Sequence, residues 1–172
     1  MELKKAEKDD LAALLDFAEH SFRVAYEAMN DPAAFQAYCA KAFTPEQFFK
    51  EFQDPRSEFW LGELEGKLVA YLKLNFDQHI ASVPAGKTVQ VERIYLESAL
   101  QGHGLGVTLM DFVQDQAVRV QAEWIWLSVW KRNPRALKFY ERCGYEICGT
   151  AIFQLGDDPQ TDWVMRKRVF TT

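Results

Sequence analysis

Hydrophobic positions recur first at helical and then at strand spacing. Leu11, Leu14, Leu15 and Ala18 fall on one helix face, behind Asp9 or Asp10 as the cap. Two further helices are announced by an acceptor side chain followed by proline. Asp31-Pro32 precedes "AAFQAYCAKAF", and Thr44-Pro45 precedes "EQFFKEF", where Gln47 also completes a capping box. With "ELKKAEK" (2–8) as a first strand, the N-terminal third is mostly helical. After Pro55 the period shortens: "EFWLGEL" and "KLVAYLKLNF" form a hairpin about Glu65-Gly66, and "TVQVERIYL" (88–96) is another strand. Val107, Met110, Val113, Ala117 and Val120 then return to helical spacing, and "WIWLSV" (124–129) is a continuous run suited to a strand buried on both faces. Asn133-Pro134 opens a helix with Ala136, Leu137, Phe139 and Tyr140 as its apolar positions and Gly144 as its closing cap. "YEICGTAIF" and "DWVMRKRVF" make a last hairpin about the loop "QLGDDPQT". This order predicts an α/β (α+β) fold in a single domain, 1–172.

Composition narrows the classes. Apolar residues are 48% and charged residues 26%, a globular balance. Apolar runs stay far below the ~18 residues of a membrane span, and "MELKKAEKDD" lacks the apolar stretch of a signal peptide. The expectation is a cytoplasmic protein that engages no membrane. A net charge of −5 weighs against nucleic acid and is compatible with a cationic substrate. Cys39, Cys143 and Cys148 show no CxxC spacing and read as small packed residues rather than a disulfide framework or a zinc site. Cys143 lacks the histidine context of a nucleophile. His20, His79 and His103 are scattered, so no metal is predicted.

Chemistry gathers in two segments. In "QGHGLG", 101–106, a strand leads into a helix whose first amides have no partner within it. Glycines let such amides converge on an anion at the positive end of the helix dipole, although a tight turn uses the same residues. Neither the dinucleotide fingerprint nor the P-loop fits, because Val107 stands where the former needs glycine and the latter's Gly-Lys is absent. The second segment, "NPRALKFYERCGY", puts Ala136, Phe139 and Tyr140 on one side of a helix. Tyr140 reads there as a core aromatic or as a site phenol.

The pair resembles the GNAT superfamily of N-acetyltransferases: Gln101-x-x-Gly104-x-Gly106 matches the acyl-CoA loop, and Asn133-x-x-Ala136-x-x-Phe139-Tyr140-x-x-x-Gly144-Tyr145 matches the signature that follows it. "VERIYL", "WIWLSVWKRN", "FQLGDDPQTDWVM" and the helical "HSFRVAYEAMN" are similar to the PaiA-type polyamine N-acetyltransferases. The resemblance implies a central, mixed, mostly antiparallel twisted sheet of about seven strands flanked by helices. Acyl-CoA would lie in a V-shaped opening between the two central strands. It implies acetyl-CoA as co-substrate, with Gln101, Gly102, His103, Gly104, Leu105 and Gly106 at the pyrophosphate and the main chain of Ile94, Tyr95 and Leu96 along the pantetheine arm. Asn133, Arg135 and Ala136 lie at the next helix mouth, and Arg142 is a partner for an outer phosphate or an ordinary surface arginine.

Acetyl transfer to an amine needs the thioester held, the amine neutral and the leaving thiolate protonated. An alkylamine of pKa ~10.4 is only about one part in a thousand neutral at pH 7, so a carboxylate must take its proton. The resemblance assigns that base to Glu92, which reads equally as a salt-bridged strand residue, and the acid to Tyr140. The acceptor it implies is a small amine such as spermidine or spermine, attacking directly with no covalent enzyme intermediate. Asp77, Glu92, Asp157, Asp158 and Asp162 would attract a polycation. Two other readings stay open: another acceptor (protein N-terminus, lysine, amino acid or aminoglycoside), or a non-catalytic acyl-CoA sensor on the same fold. An exposed strand near the C-terminus leaves room for a homodimer.

Overall fold

Proline-led caps start the helices where they were expected. In the computed structural model, which describes residues 1–170, α1 spans Leu11–Tyr26, α2 Pro32–Ala42, α3 Pro45–Phe52, α4 Leu105–Arg119 and α5 Pro134–Arg142. The strands are β1 (Glu2–Lys5), β2 (Ser57–Leu64), β3 (Lys67–Phe76), β4 (Thr88–Leu96), β5 (Trp124–Trp130), β6 (Glu146–Leu155) and β7 (Asp158–Arg168). They form one seven-stranded sheet in the order β1-β2-β3-β4-β5-β7-β6. β1 and β2 are antiparallel, β4 and β5 parallel, and β5 and β7 antiparallel. The expected mixed α/β architecture is the one observed. No helix among the described residues is long and apolar enough to cross a membrane. The chain packs as two compact units.

The first unit comprises Met1–Lys73, Arg93–Gln101 and Gln154–Pro159. Asp31 caps α2 by accepting from Ala33 and Ala34 amides at 3.0 and 2.9 Å, and Thr44 caps α3 by accepting from Gln47 N–H at 3.1 Å. Two local expectations change. The Gln47 carboxamide does not return to the cap but donates forward to Glu51 at 2.8 Å. Asp10 precedes α1 without capping it, because its carboxylate accepts from the Glu7 amide and closes a capping box around the 3-10 turn Lys8–Asp10. Glu65 and Gly66 both have positive φ, the conformation of a tight two-residue hairpin. The core is aromatic: Phe22 stacks on Phe35 at 5.3 Å, and Phe43, Phe48 and Phe59 continue the cluster. Such pairs contribute roughly 0.5–1.5 kcal/mol each beyond buried area.

The second unit comprises Leu74–Glu92, Gly102–Phe153 and the chain from Gln160. α4 buries Leu109, Met110, Val113 and Ala117, whereas Val107, expected on that face, is 49% exposed in the first turn. β5 is buried except at Trp124, which is half-buried, and Ser128, which is exposed, so the expectation of a strand covered on both faces fails at Ser128. Val83, Trp126 and Val164 form a core cluster packed by Ile80, Trp124, Cys148 and Ala151, and Trp126 Nε1 donates to the Gln78 carbonyl at 2.9 Å.

The acidic "QLGDDPQT" is not a loop. Strands take up all of it except Gly156 and Asp157, because Gly156, at φ 57°, permits a two-residue turn. The three cysteines are free, with Cys39 buried and Cys143 and Cys148 half-buried.

Candidate active site

The three glycines of the loop differ in what they do. Gly102 and Gly104 have φ of 89° and 84°, and a Cβ on either would meet nothing within 4 Å among the described residues. They are there for backbone conformation, and the space beside them is open. Gly104 caps α4: its carbonyl accepts from the Val107 and Thr108 amides at 2.9 and 3.2 Å. The Leu105 and Gly106 amides precede those bonds at the helix mouth, where the dipole favours an anion. Gly106 also serves packing, since a Cβ there would lie 3.2 Å from the Phe139 ring of α5. The loop and the helix bearing Tyr140 are therefore locked together. His103 is exposed beside them.

This contact sets an expected outcome. Gly106→Val should cost about 1–3 kcal/mol by overpacking against Phe139 and lower the melting temperature by several degrees. Gly102→Ala should cost only the ~1–2 kcal/mol of left-handed backbone. Thermal melts of the two variants check the order.

α5 begins as its sequence predicts. Asn133 Oδ1 accepts from the Ala136 amide at 3.1 Å, Pro134 occupies the first turn, and Gly144 closes the helix at φ 87°. The Asn133 side chain and the Ala136 amide are thus engaged with each other. Arg135 and Arg142 are exposed. Tyr140 is the buried residue of α5, 8% exposed, with its ring 5.3 Å from Phe139 and 6.1 Å from Tyr145. Burial pushes the Tyr145 phenol well above its ordinary pKa, with Tyr140 and Cys143 adding to it.

Glu92, half-buried on β4, accepts a short hydrogen bond from Asn75 Nδ2, and the same amide donates to Gln90 Oε1 at 3.0 Å. Asn75 is 8% exposed. The sequence reading missed it, although a lone carboxamide in the apolar run of β3 was the available signal. In the first unit, Ile94, Tyr95 and Leu96 are half-buried, and the Gln101 carboxamide donates to the Leu96 carbonyl at 3.1 Å. Gln101 therefore braces the strand that leads into the loop. Tyr95 stacks on Tyr71 at 5.6 Å, and burial holds its phenol well above the usual pKa. The parallel ladder of β4 and β5 pairs Thr88 with Trp124 through Val91 with Leu127, while β4 runs on to Leu96. Among the described residues no group of three or more His, Cys, Asp or Glu side chains could hold a metal ion.

Comparison with known proteins agrees with this architecture. An uncharacterized N-acetyltransferase in the pepI 3' region of Lactobacillus delbrueckii subsp. lactis is 27% identical over 167 residues, 97% of this chain and 96% of that protein. The PaiA N-acetyltransferase of Thermoplasma acidophilum, solved in complex with coenzyme A, superposes with a TM-score of 0.72 at 18% identity, covering 97% of this chain and 98% of its own. The ribosomal-protein-S18-alanine N-acetyltransferase of Escherichia coli gives 0.69 at 17% identity, covering 99% and 95%. The family model described as acetyltransferase (GNAT) family matches residues 12–145, more than three quarters of the chain. The chain belongs to the acetyltransferase (GNAT) family and is an N-acetyltransferase with acetyl-CoA as its co-substrate.

Proposed function

We propose that the chain, acting as one acetyltransferase domain over 1–172, transfers the acetyl group to a primary amine of a polyamine such as spermidine or spermine. The observation that carries this reading is a carboxylate, Glu92, held by Asn75 on the strand that leads into the glycine loop. The open space beside Gly102 and Gly104, next to a helix mouth, suits a pyrophosphate. Ile94, Tyr95 and Leu96 would offer main-chain partners to the pantetheine arm, and Arg142 an outer charge. When bound, acetyl-CoA supplies an activated acyl carbon. Glu92 takes a proton from the substrate ammonium, directly or through water, so that the neutral amine attacks, and Tyr140 gives a proton to the departing sulfur. Each such proton transfer is worth about 10²–10⁴ in rate, and positioning supplies much of the rest. The amine attacks the thioester directly, so no enzyme nucleophile is needed.

The acceptor rests on the resemblance of "FQLGDDPQTDWVM" and its neighbouring segments to PaiA-type enzymes. A protein N-terminus is the rival acceptor, in line with the Escherichia coli neighbour. An amine panel separates them, with thiol release from acetyl-CoA as readout. Spermidine and spermine should give kcat/KM at least about tenfold above amino acids, aminoglycosides and alanine-terminated peptides, a difference of roughly 1.4 kcal/mol. Equal values across the panel would overturn the polyamine assignment. Binding of acetyl-CoA without turnover of any amine would point to a sensor.

A further inference from the structure

Strand register puts a set of residues from the second unit on one face of the sheet. Gln90 pairs with Trp126, and across β5 and β7 Trp126 pairs with Arg166, Ser128 with Val164 and Trp130 with Asp162. Alternation of side chains then places Glu92 of β4, Trp126, Ser128 and Trp130 of β5, and Asp162 of β7 on that face. Trp126 and Val164 lie under Ile80 and Val83, and Trp130 is 9% exposed. Between the two buried tryptophans, Ser128 is open to solvent in the middle of a central strand. Beside it, diagonally across the pair, stands Asp162, 9% exposed, with Oδ1 buried and without a hydrogen-bond partner among the described residues.

A buried carboxylate without a partner is costly, and the surrounding charges do not supply one. Arg166, on the same face, bonds Glu146 at 2.9 Å, and Glu146 is the charged residue of β6. Arg132 lies over the Trp130 ring at 5.2 Å, and Lys131 over Trp163 at 3.9 Å. The segment that covers this face, 77–87, carries Asp77, His79 and Lys87. Burial is what raises the Asp162 carboxyl, to about 6.

We propose that Asp162 binds a second, protonated nitrogen of the acceptor while Glu92 receives the nitrogen to be acetylated. The inference rests on the polyamine reading above. Asp162 and Glu92 stand on strands separated by β5 and are staggered along it, so at least two strand spacings, roughly 10 Å or more, lie between them, with the Ser128 opening in between. An extended diamine or polyamine spans that interval and a monoamine does not. Trp126 and Trp130 wall the path of the methylene chain. Above pH ~6 the carboxylate is ionised, and the bound ammonium offsets its burial.

The test compares wild type with Asp162→Asn and Asp162→Glu, using spermidine and an uncharged-tail alkylamine of equal length. Asp162→Asn should raise KM for spermidine about 10- to 100-fold, as loss of a desolvated charge pair does. KM for acetyl-CoA and the kinetics of the alkylamine should stay within about twofold, and Asp162→Glu should recover part of the spermidine affinity. In wild type, KM for spermidine should fall as pH rises through about 6, and Asp162→Asn should flatten that dependence.

Stability provides a second readout. The folded pKa lies above the ordinary 3.8, so the fold loses stability as pH rises from about 4 to about 6 and regains none above it. Asp162→Asn should therefore melt no lower than wild type at pH 8. An unchanged spermidine KM, an equal rise in the acetyl-CoA KM, or a drop in melting temperature at pH 8 would each overturn the proposal. Failure of the polyamine reading looks different: wild type itself would not prefer spermidine to the alkylamine.

Discussion

Tyr140→Phe is expected to lower kcat by about 10²–10³ while KM for acetyl-CoA stays within about twofold. The substitution removes one oxygen and keeps the ring, which packs against Phe139 and Tyr145 in a site only 8% exposed. Stability should therefore change little, and a melting curve beside the kinetics separates a lost proton donor from a lost fold. A thiolate released without a proton is a poor leaving group, so the loss should shrink for donor thioesters whose thiol is more acidic. Unchanged turnover would remove Tyr140 from the reaction. Parallel loss of turnover and of acetyl-CoA affinity would make it a binding group instead.

The parts of the fold legible in the sequence are those fixed by local backbone chemistry. Asp31, Thr44 and Asn133 each precede proline, and each is an N-cap whose side chain accepts from a helix amide. Glu65-Gly66 fixed a hairpin for the same reason. What sequence could not supply depended on partners distant in the chain. The spacing places Gly106 in the acyl-CoA loop but not the further reason for its missing Cβ, which makes room for Phe139, a residue 33 positions later. Gln47 satisfied a capping-box pattern, but a carboxylate one turn on, Glu51, offered a better acceptor. The site shows the same division. The glycine loop and the Tyr140 helix announce themselves by spacing, whereas Asn75 and Asp162 matter only through strand register, which places Asn75 against Glu92 and Asp162 opposite Trp130.

The acidic segment near the C-terminus is strand rather than loop, and that bears on specificity. As a hairpin loop, "QLGDDPQT" would carry Asp157 and Asp158 among the acids expected to attract a polycation. As strand, with only Gly156 and Asp157 in the turn, the segment aims alternate side chains at one face. One of its acids, Asp162, is thereby buried, while Asp157 and Asp158 remain exposed. Exposed acids chiefly steer encounter and are screened within about 8 Å at physiological salt. A desolvated one acts at contact and can discriminate between amines.

The largest effect on stability is expected at Glu51. Its carboxylate, 12% exposed, bonds Lys73 Nζ at 2.8 Å and lies 2.9 Å from an Arg93 guanidinium nitrogen, and those side chains are only 5% and 14% exposed. Both cations also sit over aromatic rings, Lys73 over Phe59 and Arg93 over Phe48. Glu51→Ala deprives two nearly buried cations of their shared anion, a change that costs about 3–5 kcal/mol and on the order of 10 °C in melting temperature. Glu51→Gln, which keeps an acceptor for Lys73, should lose less. Burial alone would raise the Glu51 carboxyl, but Arg93 and Lys73 outweigh it and hold the group below its ordinary value of 4.5. Because the folded value is the lower one, its stabilisation is fully present above about pH 4.5 and disappears as pH falls through the folded value. Denaturant melts from pH 7 to pH 3 should therefore show wild type and Glu51→Ala converging at the acid end. A constant gap across that range would mean that the destabilisation comes from lost packing, and an Ala variant as stable as wild type would show that the cluster contributes nothing net.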